Sequence, residues 1–307
     1  SRGGVGVRLR MSGFDYTPEH GWRIHRLLEN RAREAPDFPF LHFKGRDYSH
    51  IELNRRANCM AAGLTALGLE PGARVAVMMK STPEYIDVWF AITKAGAVEV
   101  PLNTAYKGEI LTYMLNNTGA VMMIMDAEFV SAVAAVAPRC PALKHFIVRT
   151  EDGIDAAAYL PGTRHEFADV PAGAGENPSL EISPEDLACV MFTSGTTGPS
   201  KGVMLNHQFE ISFSIIYNNI VALTAEDVSY NMLPFFHIAG ISVQALRVPL
   251  TLLGAVAAVG AWRLARDHSG RLLAILARAR DGSAGWHPAR APPAGFGSQR
   301  ARVAAQR

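Results

Sequence analysis

The 307-residue sequence predicts an α/β fold: a mostly parallel sheet covered by helices. Three observations lead there. Apolar runs such as Arg74–Met79 and Val121–Met125 lack the alternation of a half-exposed strand, as strands buried on both faces do. These runs alternate with segments of helical periodicity, the rhythm of strand–helix–strand units. Glycines at 68, 96 and 119 stand where helical patterns stop, the usual place for a residue that accepts a left-handed backbone.

Taken in order, residues 21–35 predict a helix, with Trp22, Ile24, Leu27 and Leu28 near helical spacing and Pro36 stopping it. Phe40–Lys44 and Arg46–Ser49 read as a hairpin about Gly45. Ser49 can cap the next helix, with Glu52 at the capping-box position. That helix, His50–Leu67, sets Leu53, Ala57, Met60, Ala61 and Leu64 on one face. The strand–helix rhythm follows: strand Arg74–Met79, helix Pro83–Ala95, strand Val98–Pro101, helix Lys107–Asn117, strand Val121–Met125, helix Glu128–Ala137 and strand His145–Val148. Residues 150–183 are rich in Gly, Pro and acids and read as a connecting segment. Leu187–Thr193 and Lys201–Leu205 are strands, and Asn206 can cap a helix over His207–Val221. Val228–Met232 is expected as a strand and Ala239–Leu253 as a helix.

Composition narrows the function classes. Apolar residues make up 49% and charged residues 19%, as in a globular protein with a sizeable core. A formal net charge of +2 gives no reason to expect a nucleic-acid partner. The average conceals an asymmetry: residues 261–307 hold nine Arg and no Lys against two acids, leaving 21 basic and 26 acidic residues in 1–260. The three cysteines, Cys59, Cys140 and Cys189, form no metal-binding pair and are expected as reduced thiols in a cytoplasmic protein. No targeting segment is expected from the first ten residues, and Met11 is a candidate start. The longest apolar run, Val248–Trp262, is 15 residues and is interrupted by Pro249 and Gly254, so no transmembrane segment is expected.

The richest stretch runs Phe192-Thr193-Ser194-Gly195-Thr196-Thr197-Gly198-Pro199-Ser200-Lys201-Gly202. Its glycines let the backbone turn sharply and approach a ligand. Thr193, Ser194, Thr196 and Thr197, with free backbone N–H groups, can donate to phosphate oxygens, and Lys201 adds a point charge. A buried strand delivers this loop to one edge of the sheet, where ligands of α/β proteins gather. It is not a Walker loop. Counting from Gly195, the second required glycine is Ser200, and Lys201 is followed by Gly202 where Ser or Thr is needed.

Thr193–Gly202 closely resembles the signature of the AMP-binding, adenylate-forming superfamily: acyl-CoA synthetases, luciferases and peptide-synthetase adenylation domains. Four other stretches agree with that family: Tyr48–Asn58, Gly68–Ala76 with Ala73 in place of the usual Asp, Lys94–Ala97 with Val100–Asn103, and Leu233–Gly240. The resemblance covers about residues 20–260 and implies part of the N-terminal domain of the acyl-CoA synthetase/luciferase-like fold. It further implies that a small-molecule carboxylic acid attacks the α-phosphate of ATP, bound with Mg2+, and that coenzyme A then displaces AMP. By the same resemblance Thr193, Ser194, Gly195, Thr196, Thr197, Gly198 and Lys201 hold the nucleotide phosphates, and Lys201 and His237 are catalytic. Lys201 would stabilise departing pyrophosphate, and His237 would lie beside the acyl group and adenylate. His207 has the plainer expectation of a structural histidine, and Phe235 and Phe236 of pocket wall or core.

Val100–Glu109 most resembles ligases of the crotonobetaine/carnitine-CoA and fatty-acyl-CoA type. Two other readings stay open: a peptide-synthetase adenylation domain, and a catalytically inactive fragment. The second arises because the resemblance stops near Trp262, and Ala, Arg, Gly and Pro fill 29 of the 47 positions in 261–307. Those residues are expected not to be native to the fold, as out-of-frame translation of GC-rich coding DNA would produce. Segments that the resemblance assigns to adenine, ribose and magnesium are missing from the pattern, so no ATP–pyrophosphate exchange is expected from these 307 residues alone.

Overall fold

The computed structural model describes residues 10–11, 14–15, 22–150, 159–192, 200–221, 233–237 and 240. All of them belong to one unit, Ser1–Leu252. The expected strand at Val228–Met232 and helix at Ala239–Leu253 lie outside the described residues, apart from Gly240.

Two residue pairs, β1 (Arg10–Met11) and β2 (Phe14–Asp15), form a short antiparallel ladder. Helix α1 (Ile24–Glu34) then leads to the hairpin β3 (Pro39–Phe43) and β4 (Arg46–Ser49). Its two-residue turn is Lys44–Gly45, at φ 49° and 81°; two positive φ values are what a type I′ turn requires. Helix α2 (His50–Ala66) starts on Ser49, whose Oγ accepts the Glu52 N–H at 3.3 Å. Glu52 does not return the bond of a capping box. Its carboxylate pairs with Arg46 and Arg56 instead, because a guanidinium outbids a backbone N–H for a carboxylate.

Five parallel strands follow: β5 (Arg74–Met78), β6 (Val98–Pro101), β7 (Met122–Asp126), β8 (His145–Arg149) and β9 (Thr163–Glu166). Helix α3 (Pro83–Lys94) joins β5 to β6, α4 (Gly108–Thr118) joins β6 to β7, and α5 (Val130–Ala134) lies between β7 and β8. The expected helix over Glu128–Ala137 is shorter than its pattern, with α5 flanked by 3-10 turns at Ala127–Phe129 and Ala137–Arg139; Pro138 cannot donate into a continuing helix. Strand β10 (Leu187–Phe192) pairs parallel with β6, and β11 (Gly202–Asn206) pairs antiparallel with β10. Helix α6 (His207–Val221) is capped as expected, Asn206 Oδ1 accepting the Phe209 N–H at 2.8 Å.

The sheet has seven strands in the order β11-β10-β6-β5-β7-β8-β9. One strand was not anticipated: β9 lies inside 150–183, the stretch expected to be only connecting. Its residues Thr-Arg-His-Glu carry no apolar run and are mostly exposed. An edge strand can be polar, so hydrophobic patterning misses it.

Both sheet faces are buried. Val75, Val77, Met122, Ile124 and Ile147 pack with α1, α2 and α3. Ala76, Met78, Met123, Met125 and Val148 pack with α4 and α5. Two covered faces explain the unbroken apolar runs. Helix α3 is buried nearly all round, including Tyr85, Trp89 and Phe90, because α1 and α2 cover the side turned away from the sheet. Residues 170–177 cross α2, where Gly63 lets the Val170 carbonyl in. A Cβ on Gly63 would stand 1.7 Å from that oxygen. Among the described residues no helix is long and apolar enough to cross a membrane.

Candidate functional site

The chain path puts β5 mid-sheet, sends β6 to one side of it and β7 to the other. Their connections leave toward opposite faces, α3 on one and α4 on the other. Around such a reversal, α/β proteins commonly bind ligands at the carboxyl ends of the strands.

Strand β10 runs parallel to β6, so it delivers its carboxyl end to the same edge. Phe192, its last residue, stands opposite Gly202, the first of β11. Both ends of the Ser/Thr/Gly segment are therefore fixed at the carboxyl edge. Thr193, Ser194, Gly195, Thr196, Thr197 and Gly198 lie outside the described residues. Lys201 is described, and it is exposed where β11 begins. Gly202 packs closely: a Cβ there would come 3.0 Å from a Val190 methyl, which would have to give by a few tenths of an ångström, and 3.6 Å from the Phe192 ring.

His237 reaches the same edge by another route. It ends a tight turn in which its N–H donates to the Pro234 carbonyl at 3.0 Å, and Gly240 N–H donates to the His237 carbonyl at 2.8 Å. The imidazole-bearing residue is exposed, whereas Phe235 is buried. Phe235 N–H donates to Ser81 Oγ at 3.0 Å, and its ring stands edge-on to Tyr85 at 5.6 Å. Ser81 lies three residues past the end of β5. The loop after β10 and the histidine turn after β5 are thus mounted on one edge, with β6 between them. Phe236 is half-buried. Asn103, just past β6, accepts the Ala105 N–H at 2.9 Å and shapes its own turn.

The other half of this edge is closed by ion pairs. Asp126 accepts from Lys80 N–H and Arg149 Nε, both at 2.7 Å. Arg149 and Arg56 lie 3.6 and 3.5 Å from Glu84, and Arg56 also pairs with Asp87. Charges past the ends of β5, β7 and β8 are thus met by one another, while the Ser/Thr/Gly segment leaves from the end of β10.

Beneath the histidine turn lies a group that sequence reading missed. Tyr85 OH donates to Glu99 Oε1 at 2.9 Å, and both residues are fully enclosed. Glu210 on α6 is buried as well, and among the described residues neither of its carboxylate oxygens has a hydrogen-bond partner. Burial pushes Glu99 up to about 8, against the Tyr85 hydrogen bond. Burial and the neighbouring Glu99 push Glu210 up to about 8. Both acids therefore stay protonated at neutral pH. The available signal was Glu99 interrupting an apolar strand.

His207 is structural, as expected. It is buried, and Ile24 N–H donates to its Nδ1 at 3.3 Å. Burial lowers it to about 4, and it faces His25 edge-on at 5.9 Å. All three cysteines are free, Cys140 and Cys189 buried and Cys59 half-buried. Among the described residues no cluster of three His, Cys, Asp or Glu could hold a metal ion.

Residues 28–280 match the family described as AMP-binding enzyme. The medium/long-chain-fatty-acid–CoA ligase FadD6 of Mycobacterium tuberculosis is 30% identical over 232 residues, covering 75% of this chain and 37% of that protein. The phosphinothricin tripeptide synthetase PhsC of Streptomyces viridochromogenes is 34% identical over 194 residues, covering 62% of this chain and 16% of that protein. Among solved structures, apo MatB from Rhodopseudomonas palustris superposes with a TM-score of 0.61 at 28% identity, covering 75% of this chain and 44% of that one. The chain spans less than half the length of these relatives.

Proposed function

This chain belongs to the AMP-binding enzyme family, and we propose that the protein is an ATP-dependent acid–thiol ligase that makes an acyl-CoA through an acyl-adenylate. The observation that carries this reading is the shared edge. Lys201, closing the Ser/Thr/Gly loop, and the turn bearing His237 are mounted past the carboxyl ends of β10 and β5, with β6 between them.

In the first half-reaction the carboxylate oxygen attacks the α-phosphorus of ATP, and the bond to the bridging oxygen of pyrophosphate breaks. Charge builds on pyrophosphate as it leaves. Hydroxyls of Thr193, Ser194, Thr196 and Thr197, backbone N–H groups around Gly195 and Gly198, and the Lys201 ammonium would take that charge. Part of the triphosphate charge would be neutralised by Mg2+ brought in as the ATP chelate. His237, exposed at the edge, would contact the acyl group and adenylate. In the second half-reaction the coenzyme A thiolate displaces AMP. Fatty-acyl or crotonobetaine/carnitine-type acids are the proposed substrate class, supported by the likeness to FadD6. A location in the cytoplasm belongs to the same proposal.

The peptide-synthetase relative favours a second reading, an adenylation domain that activates an amino acid. Acid-dependent ATP–pyrophosphate exchange across fatty acids, betaine-type acids and amino acids separates the two. A third reading is a fragment that binds the triphosphate without turning it over. The chain covers 37% of FadD6, and the expected result for these 307 residues alone is binding without exchange. Exchange that depends on Lys201 would overturn that expectation and make the chain sufficient for adenylation. The acid giving the fastest exchange would then assign the branch.

A further inference from the structure

Two contacts tie the turn at 233–237 to the region just past β5, one to the β5–α3 connection and one to the first turn of α3. Ser81 Oγ accepts the Phe235 N–H at 3.0 Å, across 154 residues of sequence. The Phe235 ring stands at 62° to the Tyr85 ring, 5.6 Å between centroids. Tyr85 is itself pinned from below by its hydrogen bond to buried Glu99 on β6. Inside the turn, Gly240 allows a close approach: a Cβ there would lie 2.2 Å from the Pro234 carbonyl oxygen. Ser81 and Tyr85 thus tie the turn to the sheet through a hydrogen bond and a ring contact.

We propose that Ser81 and Tyr85 are positioning residues that fix the His237 turn at the carboxyl edge of the sheet. The inference rests on the reading of His237 given above. It adds that the seat of His237 at this edge is held in part from the β5–α3 connection. A hydroxyl at 81 is what the contact uses. Ser81 is exposed, so its side chain contributes little to the core. Its removal should release the turn and leave the fold intact.

The test uses the full chain labelled at histidine Cε1 and at backbone nitrogen. The His237 signal is assigned by its loss in His237→Gln. In Ser81→Ala, amide exchange at Phe235 should rise roughly fivefold or more, the loss expected for one hydrogen bond. The His237 imidazole signal should shift or broaden, while His25 and His207 signals stay in place. Ser81→Thr keeps the hydroxyl and should restore both readouts. Unchanged Phe235 exchange and an unchanged His237 signal in Ser81→Ala would overturn the proposal, as would equal disturbance in Ser81→Thr. A separate arm tests the reading beneath it. Octanoate should shift the His237 signal in the wild-type chain, and absence of that shift counts against substrate contact by His237 whatever Ser81→Ala does.

Discussion

Lys94→Met is expected to destabilise the protein by about 3–5 kcal/mol, the cost of breaking a buried ion pair by removing one partner. Lys94 ends α3, and its side chain is 0% exposed. Its Nζ lies 2.7 Å from Glu29 Oε1 on α1, and that carboxylate is 5% exposed. Burial lowers Lys94 to about 8 despite Glu29, so the environment tolerates the ammonium only because the carboxylate is there. Without it Glu29 keeps Arg26 at 2.9 Å, a partner 40% exposed and held by a flexible stem. Against a total stability of about 5–15 kcal/mol this is a large fraction. Replacing both partners, Glu29→Leu with Lys94→Met, should recover most of the loss, since two apolar side chains leave no charge behind. Urea unfolding measures both. A loss below about 1 kcal/mol in the single variant would mean that the pair is not buried as described.

The second large effect is a loss of stability as pH rises from 6.5 to 8. Glu99 and Glu210, each pushed up to about 8 by burial, sit above the ordinary glutamate value of 4.5. The folded state then holds protons that the unfolded chain has released, and stability falls as pH climbs toward 8. The slope is about 1.4 kcal/mol per pH unit for each proton retained. Other groups define the window. His25 and His207, lowered by burial to about 2 and about 4, pull the opposite way around and below their ordinary 6.5, and so blunt the fall at the lower end of the window. Asp87, raised by burial to about 7 against the pull of Arg56, adds to the fall near the lower end. Lys94 reverses the trend only above about 8. Urea midpoints at pH 6.5 and 8 should therefore differ, and Glu99→Gln with Glu210→Gln should flatten the difference. A flat wild-type profile would contradict the buried-acid arrangement.

Much of this was legible in the sequence. Runs such as Arg74–Met79 and Val121–Met125 showed a sheet covered on both faces, and Asn206 and Ser49 showed where helices begin. Residues 193–202 and 233–240 mark the candidate site in the sequence because glycine, hydroxyl and histidine chemistry is local to short segments. What stayed hidden depends on register and long-range contact. Glu99 and Glu210 lie 111 positions apart in the sequence, and only the pairing of β6 with β10 and the packing of α6 make them neighbours. Ser81 is an ordinary loop serine until Phe235 N–H arrives. Strand β9 escaped because an edge strand can be polar. The connection of α5 escaped because 3-10 turns and an α-helix share nearly the same apolar spacing.

Phosphate recognition at the end of β10 is the central claim, and a titration tests it most directly. Calorimetry of inorganic tripolyphosphate and of MgATP with the full chain should show saturable binding of both. Lys201→Ala should weaken each about tenfold or more, the loss expected for a charge-assisted contact. Lys144→Ala is the control: it removes an exposed lysine just before β8, at the amino edge of the same sheet, and should change neither affinity. Equal loss in the two variants, or no saturable binding to the wild-type chain, would contradict the account.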